Sequence, residues 1–409
     1  MAEVARSHAR GRWARPLALC ALAPVLAHAQ SAVCTTAAPW RLPSQVYVAP
    51  IAVRALGRSL LIVGDPAYRF ATGANGTPIV ADSMLAGLRT TPGDSVISIG
   101  RPASSRAFVQ PRIVPRTETS TDVVWSEPDF FDGGRSSAGP HRLHAGTLTN
   151  GRWSGLQFLG RFELNTSLTR EVGSDLVTVG GVTYMAFPDE DFRTAERRIV
   201  LLSDSGGRWA TTVLRFDLAT TGATELGDDS GVLTAIFLGQ PRERPVDRLS
   251  RTSTVWLSRR TPGGWTRAVQ IGGDEVATIQ FPKLVRHGSS LIAAWLSSTG
   301  EPVLEWREVT QGAAPGPLRR LEGVASITQG QAPFRDLLSL RSTNGTSRVV
   351  QLRRDGYDRI FDVPSGAQIE PVVVGTRERP WALAIELLEL PAPGPYRLVA
   401  HDLHCALRR

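Results

Sequence analysis

The 409-residue sequence predicts an all-β fold, a β-propeller of four-stranded blades, on three observations. Hairpin turns ending in an aromatic recur at fixed spacing. A second strand–turn–strand pattern recurs between them. No segment carries helical periodicity.

The first observation rests on three stretches: Leu148-Thr149-Asn150-Gly151-Arg152-Trp153, Leu202 to Trp209, and Leu257 to Trp265. Each has an apolar strand before it and another after it, and Gly or Asn-Gly supplies the positive φ of a tight turn. Trp153, Trp209 and Trp265 are spaced 56 residues apart, and a fixed period in this range marks a repeat architecture. Arg353 to Phe361, with Asp355-Gly356-Tyr357 at its turn, is a weaker fourth copy.

The second pattern is a short strand, a polar turn and a more apolar strand. Leu176–Val179, Gly180-Gly181 and Val182–Phe187 form one copy; Leu284–Val285, His287-Gly288-Ser289 and Ser290–Leu296 form another. With Val53–Val63, Thr121–Trp125, Gly231–Leu238, Phe334–Leu340 and Pro371–Ile385 there are seven copies. Each pairs with a following strand–turn–strand, so the expected ring has seven blades. An irregular turn near Gly93 leaves six or eight open. Insertions fall at Pro128–Pro140 and Asp189–Arg197. The third observation is negative: helix formers never gather at 3.6-residue spacing over three turns. Instead, 39 Gly and 28 Pro punctuate the chain, as many short strands require.

The N-terminus reads as a secretory signal. Arg6, Arg10, Arg12 and Arg15 precede a short apolar run, and Ala27-His28-Ala29 is a small-x-small cleavage site. The expected organisation is a signal peptide over 1–29 and a single propeller domain over 30–409, exported to the periplasm or beyond. Cys20 raises the question of lipidation, but Leu19 before it is a poor match. No other stretch is long and apolar enough to span a bilayer. Net charge is +8. Lys283 is the sole lysine, and the arginines are interleaved with Asp and Glu. That distribution lacks the basic stripe of a nucleic-acid binder, so the expected partner is a glycan or protein ligand and the expected state is a monomer.

Cys34 and Cys405 lie near opposite ends. In an oxidising compartment such a pair reads as a disulfide, with two free thiols as the alternative. A bridge would fasten the first strand to the last, where a ring must close. Trp40–Val48 would then add a strand to the last blade, beside Tyr396–His401. The chain-entropy model gives so long a loop about 5 kcal/mol.

The segment Leu202 to Trp209 resembles the Asp-box, or BNR repeat, of sialidase-like propellers. That motif is Ser/Thr-x-Asp-x-Gly-x-x-Trp; Asp204, Gly206 and Trp209 fall in register, and Leu202 replaces the hydroxyl. The Trp153 and Trp265 copies keep the aromatic and a glycine without the aspartate. The resemblance implies that the boxes sit on outer hairpins, where Asp caps the turn and the aromatic, Tyr357 included, packs between sheets. It also implies a chemistry: three arginines holding a carboxylate sugar, a Tyr–Glu nucleophile and an aspartate acid/base. The family's Phe/Tyr-Arg-Ile-Pro string is nearest at Gln110 to Pro115, where an extra residue intervenes, so its arginine role does not pass to Arg112. Tyr357 and Tyr184 read as packing residues, and Tyr47, Tyr68 and Tyr396 lie near the ends. No nucleophile is assigned.

His141-x-x-His144 and His401-x-x-His404 would face opposite sides of a strand, so no metal site is expected. Pro188-Asp189-Glu190-Asp191 and Asp228-Asp229 lack calcium-loop spacing. No phosphate loop or Gly-x-Ser-x-Gly elbow occurs, and no cofactor is expected. Asn75-Gly76-Thr77, Asn165-Thr166-Ser167 and Asn344-Gly345-Thr346 match glycosylation acceptors. The leading expectation is a non-catalytic exported propeller binding a glycan, peptide or partner protein; the alternative is a sialidase-like glycoside hydrolase acting on extracellular glycans.

Mass spectrometry of the non-reduced, proteolysed protein should find one peptide pair joined through Cys34 and Cys405. Free thiols at both positions would end the bridge hypothesis.

Overall fold

The computed structural model describes residues 34–36, 40–41, 49–56, 59–65, 71–72, 78–79, 85–89, 97–99, 109–128 (save 118), 140–162, 176–191, 196–241, 254–273, 277–363 (save 332), 367–375, 380–387 and 396–405. The signal segment 1–29, Tyr47, Tyr68, the turn near Gly93 and the first two glycosylation acceptors lie outside the described residues. Among the described residues no helix is long and apolar enough to cross a membrane.

The fold is an all-β propeller. The described strands form seven antiparallel sheets of four or five strands and a two-stranded ribbon, Ala71–Thr72 with Pro78–Ile79. In chain order, sheet I spans 49–99, II 109–162, III 177–214, IV 218–272, V 278–322, VI 324–363 and VII 367–405. Within sheets I to VI the described strands are neighbours in chain order, so first-to-second and third-to-fourth connections leave each sheet at one end (the hairpin end). Second-to-third connections emerge at the other.

The core lies between successive sheets rather than inside any one. Along Val232–Pro241, Leu233, Ala235 and Phe237 pack toward sheet III, while Ile236 and Leu238 pack toward sheet V. Along Ser290–Ser298, Leu291, Ala293 and Trp295 face sheet IV, and Ile292, Ala294 and Leu296 face sheet VI. Alternation of side chains sends every second residue to each neighbour, and burial on both faces explains the near-continuous apolar second strands. Each large side chain so buried contributes about 1.5–3 kcal/mol.

Sheet VII mixes the two ends of the chain. Cys34–Thr36 pairs antiparallel with Tyr396–Cys405, and Cys34 is the register partner of Cys405. Directly opposite residues lie about 4.5–5.5 Å apart at Cα, inside the span a disulfide bridges. Cys34 is disulfide-bonded and buried among Phe361, Val373 and Leu403. The segment expected at Trp40–Val48 pairs with the same strand over Trp40–Arg41 only, with Trp40 opposite Ala400; 42–48 lie outside the described residues.

The connection between the first two strands of sheet VI, 330–337, turns inward. Its Gln331 N–H donates to the Val373 carbonyl of sheet VII at 2.9 Å, and Phe334 is fully buried against that sheet. Gly330 is required there, because a Cβ would strike the Phe334 carbonyl oxygen. Arg335 then reaches past sheet V. Its Nη1 donates to Leu176 O at 2.8 Å, and its Nη2 donates to Leu226 O at 2.6 Å and to Glu225 Oε1 at 3.0 Å. Lys283 Nζ stands 3.5 Å from the other oxygen of Glu225. Gln329 adds a bond to Leu284 O at 2.8 Å.

The hairpin at Asp204–Trp209 joins sheets II and III. Asp204 Oδ1 accepts the Gly207 N–H at 2.9 Å, and Gly206 and Gly207 have φ of 68° and 93°. Trp209 is buried between the two sheets, and its Nε1 donates to Asp122 Oδ2 at 3.3 Å. Arg116 ion-pairs with both Asp122 and Asp204. Burial opposes its charge, but the bonds to Asp204 and Asp122 outweigh that and raise its pKa. The other hairpin aromatics are only partly buried. Trp153 meets the Trp125 edge at 5.8 Å, Trp265 meets Phe216 at 6.2 Å, and Tyr357 packs against the V–VI core.

Replacing Arg116 with Met leaves two buried carboxylates without their shared cation. Urea unfolding should show a loss of about 3–5 kcal/mol, the scale for breaking a buried ion pair from one side. A change within 1 kcal/mol would contradict this reading of the network.

Candidate active site

The end opposite the hairpins carries the unusual chemistry. In sheets II and III an acid stands near the end of the second strand and an arginine near the start of the third. Glu127 is the register partner of Arg142, and Asp189 of Arg198. Arg142 Nη2 donates to Glu127 Oε1 at 3.2 Å, and Arg198 Nε to Asp189 Oδ2 at 2.6 Å. Both carboxylates are buried. A long apolar strand delivers each of them: Val123 and Trp125 precede Glu127, and Met185 and Phe187 precede Asp189. A charge drawn this far out of water must be compensated, and the facing arginines do so.

The two faces of sheet II differ. On one, Trp125, His144 and Phe158 are register neighbours across three strands. The His144 ring stacks on Trp125 at 5.6 Å with a 17° interplanar angle, and Phe158 lies 5.6 Å beyond it. His144 Nε2 sits 3.5 Å from Glu127 Oε2. Burial lowers the imidazole pKa below 6.5, Glu127 pushes it up, and Arg142 lowers it again. The net effect keeps the ring neutral near neutral pH. A neutral imidazole this close to a carboxylate can take a proton and return it.

The other face meets sheet III. Val114, Leu143, Phe187 and Val200 belong to the II–III core. Two residues along the same strands, and so on the same face, stand Arg112, His141, Asp189 and Arg198. They form a polar layer above the apolar one. Arg112 and His141 are buried, and Asp189 Oδ1 is a buried acceptor without a hydrogen-bond donor.

Other residues singled out by sequence have structural surroundings. Tyr184 is in the III–IV core, where Arg260 Nη1 donates to its hydroxyl at 2.6 Å. His141 and His144 face opposite sides. His401 is buried near Phe361, and His404 is exposed. Asp228 caps the Gly231 N–H at 2.7 Å and pairs with Arg286, while Asp229 pairs with Arg259. Asn344 closes an exposed turn by accepting the Thr346 N–H at 3.1 Å. Among the described residues no three His, Cys, Asp or Glu side chains gather as a metal site.

Glu127, Arg142 and His144 carry no sequence motif. One signal was present. An acid stands at or just before the start of each insertion noted in the sequence, Glu127 and Asp189, and an arginine within two residues after its end, Arg142 and Arg198.

No family model matches the sequence, and no curated protein matches it. Solved structures do resemble the fold. The polysaccharide lyase Uly1 aligns with a TM-score of 0.52 at 11% identity, over 86% of this chain and 89% of its own. A puromycin hydrolase aligns at 0.52 with 15% identity, over 90% of this chain and 55% of its own, so this chain spans about half of that protein. A Trypanosoma rangeli sialidase aligns at 0.40 with 8% identity, over 87% of this chain and 55% of its own. Identities this low speak to fold alone.

The environment of His144 sets a sign test by NMR titration of its imidazole. Glu127→Gln removes the charge that raises the pKa, so it should fall further below 6.5. Arg142→Gln removes a charge that lowers it, so it should rise. Because the folded state resists protonation here, stability should decline as pH drops through 6.5 toward the depressed folded value. A rise in Glu127→Gln or a fall in Arg142→Gln would break the assignment.

Proposed function

We propose that this chain is an exported glycan-cleaving enzyme, with His144 as its acid/base group, Glu127 as the residue that orients His144, and Arg142 as the cation that fixes Glu127. One observation carries the reading: a neutral imidazole 3.5 Å from a buried carboxylate, at the end of the sheet where an insertion emerges. The expectation of a non-catalytic binder gives way to its alternative, because a binding surface does not require a carboxylate–imidazole pair set into an apolar wall. The choice of a glycan as substrate class draws support from the fold shared with a polysaccharide lyase.

The chemistry follows from the protonation state. Neutral His144 removes a proton, and its conjugate acid, stabilised by Glu127, returns one to the departing glycosidic oxygen. The products identify the donor of the first proton. Water as donor gives hydrolysis, with only a new reducing end. A sugar carbon as donor gives elimination, with a new carbon–carbon double bond that absorbs ultraviolet light.

The test is incubation with aryl glycosides and with neutral and uronate polysaccharides, following reducing ends and ultraviolet absorbance together. His144→Ala should lose activity about a hundredfold or more, the usual worth of a positioned acid/base. Activity should fall on the acid side as His144 becomes charged. No cleavage across the panel, or full activity in His144→Ala, would sink the proposal.

A further inference from the structure

Phe158 is the most exposed of the large apolar side chains described, at 58%. It lies on the outermost strand of sheet II, Arg152–Phe162, directly across from His144. Its ring continues the aromatic ladder from Trp125 through His144, tilted 55° to the imidazole. Leu156, two residues earlier on the same strand, is 49% exposed. Apolar surface left in water is unfavourable, and here it adjoins the group assigned to proton transfer.

We infer that Phe158 is a specificity-determining residue, the stacking platform for a pyranose ring flanking the bond that is cleaved. The inference rests on the glycan reading of the site and names the feature of substrate that the site selects. A pyranose with equatorial hydroxyls presents a face of C–H hydrogens. Those hydrogens match the electron-rich face of an aromatic ring, and their burial adds the hydrophobic term. The hydroxyls at the ring edge stay in water. A ring seated on Phe158 would lie one side chain from His144, so the glycosidic oxygen would fall within its reach.

Val213 supplies the control. It is an exposed apolar residue, 39% accessible, on the outermost strand of sheet III. Native affinity gels cast with xylan, β-glucan, alginate or hyaluronan, run with otherwise wild-type protein, read binding without cleavage. At least one polysaccharide should retard the wild type and Val213→Ala equally. Phe158→Ala should bind it about tenfold more weakly, the scale of exposing one aromatic face, and Phe158→Tyr should restore binding. Unchanged thermal unfolding would show that the loss is local. Where cleavage is measured, Phe158→Ala should raise KM and leave kcat within about twofold.

Equal retardation of Phe158→Ala and wild type would overturn the inference, as would a wild type that none of the four retards. The two proposals fail separately. Binding that depends on Phe158 with no cleavage of any glycan removes the enzymatic reading and leaves the platform. Cleavage that ignores Phe158→Ala does the reverse.

Discussion

The interaction on which the ring depends is the reach of Arg335 from sheet VI to sheets III and IV. A ring of sheets turns the free edge of every innermost strand toward its axis, and those edges carry unpaired N–H and C=O groups. Arg335 donates to two such carbonyls, on Leu176 and Leu226, and to the carboxylate of Glu225. One guanidinium thus ties together strands separated by 159 residues in the chain. Its charge is shared with Glu225 and the sole lysine, Lys283. The loop that delivers it is anchored on sheet VII through Gln331 and Phe334. This arrangement places compensated charge between sheets III, IV, V and VI.

Charge is handled differently at the two ends. At the hairpin end, acids cap backbone turns and pair with arginines: buried Asp204 caps its turn and shares Arg116 with Asp122, and the more exposed Asp228 caps a turn and pairs with Arg286. These contacts make turns rigid and clamp neighbouring sheets. At the far end, Glu127 and Asp189 hold their arginines across the pairing of the second and third strands. Glu127 keeps one oxygen toward an imidazole, and Asp189 keeps one oxygen as a buried acceptor. Acids that finish a turn have little chemistry left to offer.

The sequence made local features legible. The turn at Asp204-Ser205-Gly206-Gly207 reads out because its glycines need positive φ and its aspartate caps a nearby amide, all within a few residues. The double-sided second strands read out because alternation against two neighbours leaves an apolar run. The ends of the chain read out in part: Cys34 meets Cys405 in register, while the pairing foreseen for Trp40–Val48 is seen over Trp40–Arg41. What stayed hidden depends on register between distant residues. Nothing near Glu127 announces that its partner is Arg142, or that Trp125, His144 and Phe158 line up across three strands. Arg335 gave no signal at all, because its partners belong to other sheets.

A crystal structure of His144→Ala grown with an oligosaccharide that the wild type cleaves tests the site most directly. The prediction is sugar at the end of sheet II, with a glycosidic oxygen beside the vacated imidazole position near Glu127 and one pyranose ring on Phe158. Sugar bound only at the hairpin end, or only over Glu225 and Lys283 in the middle of the ring, would contradict it.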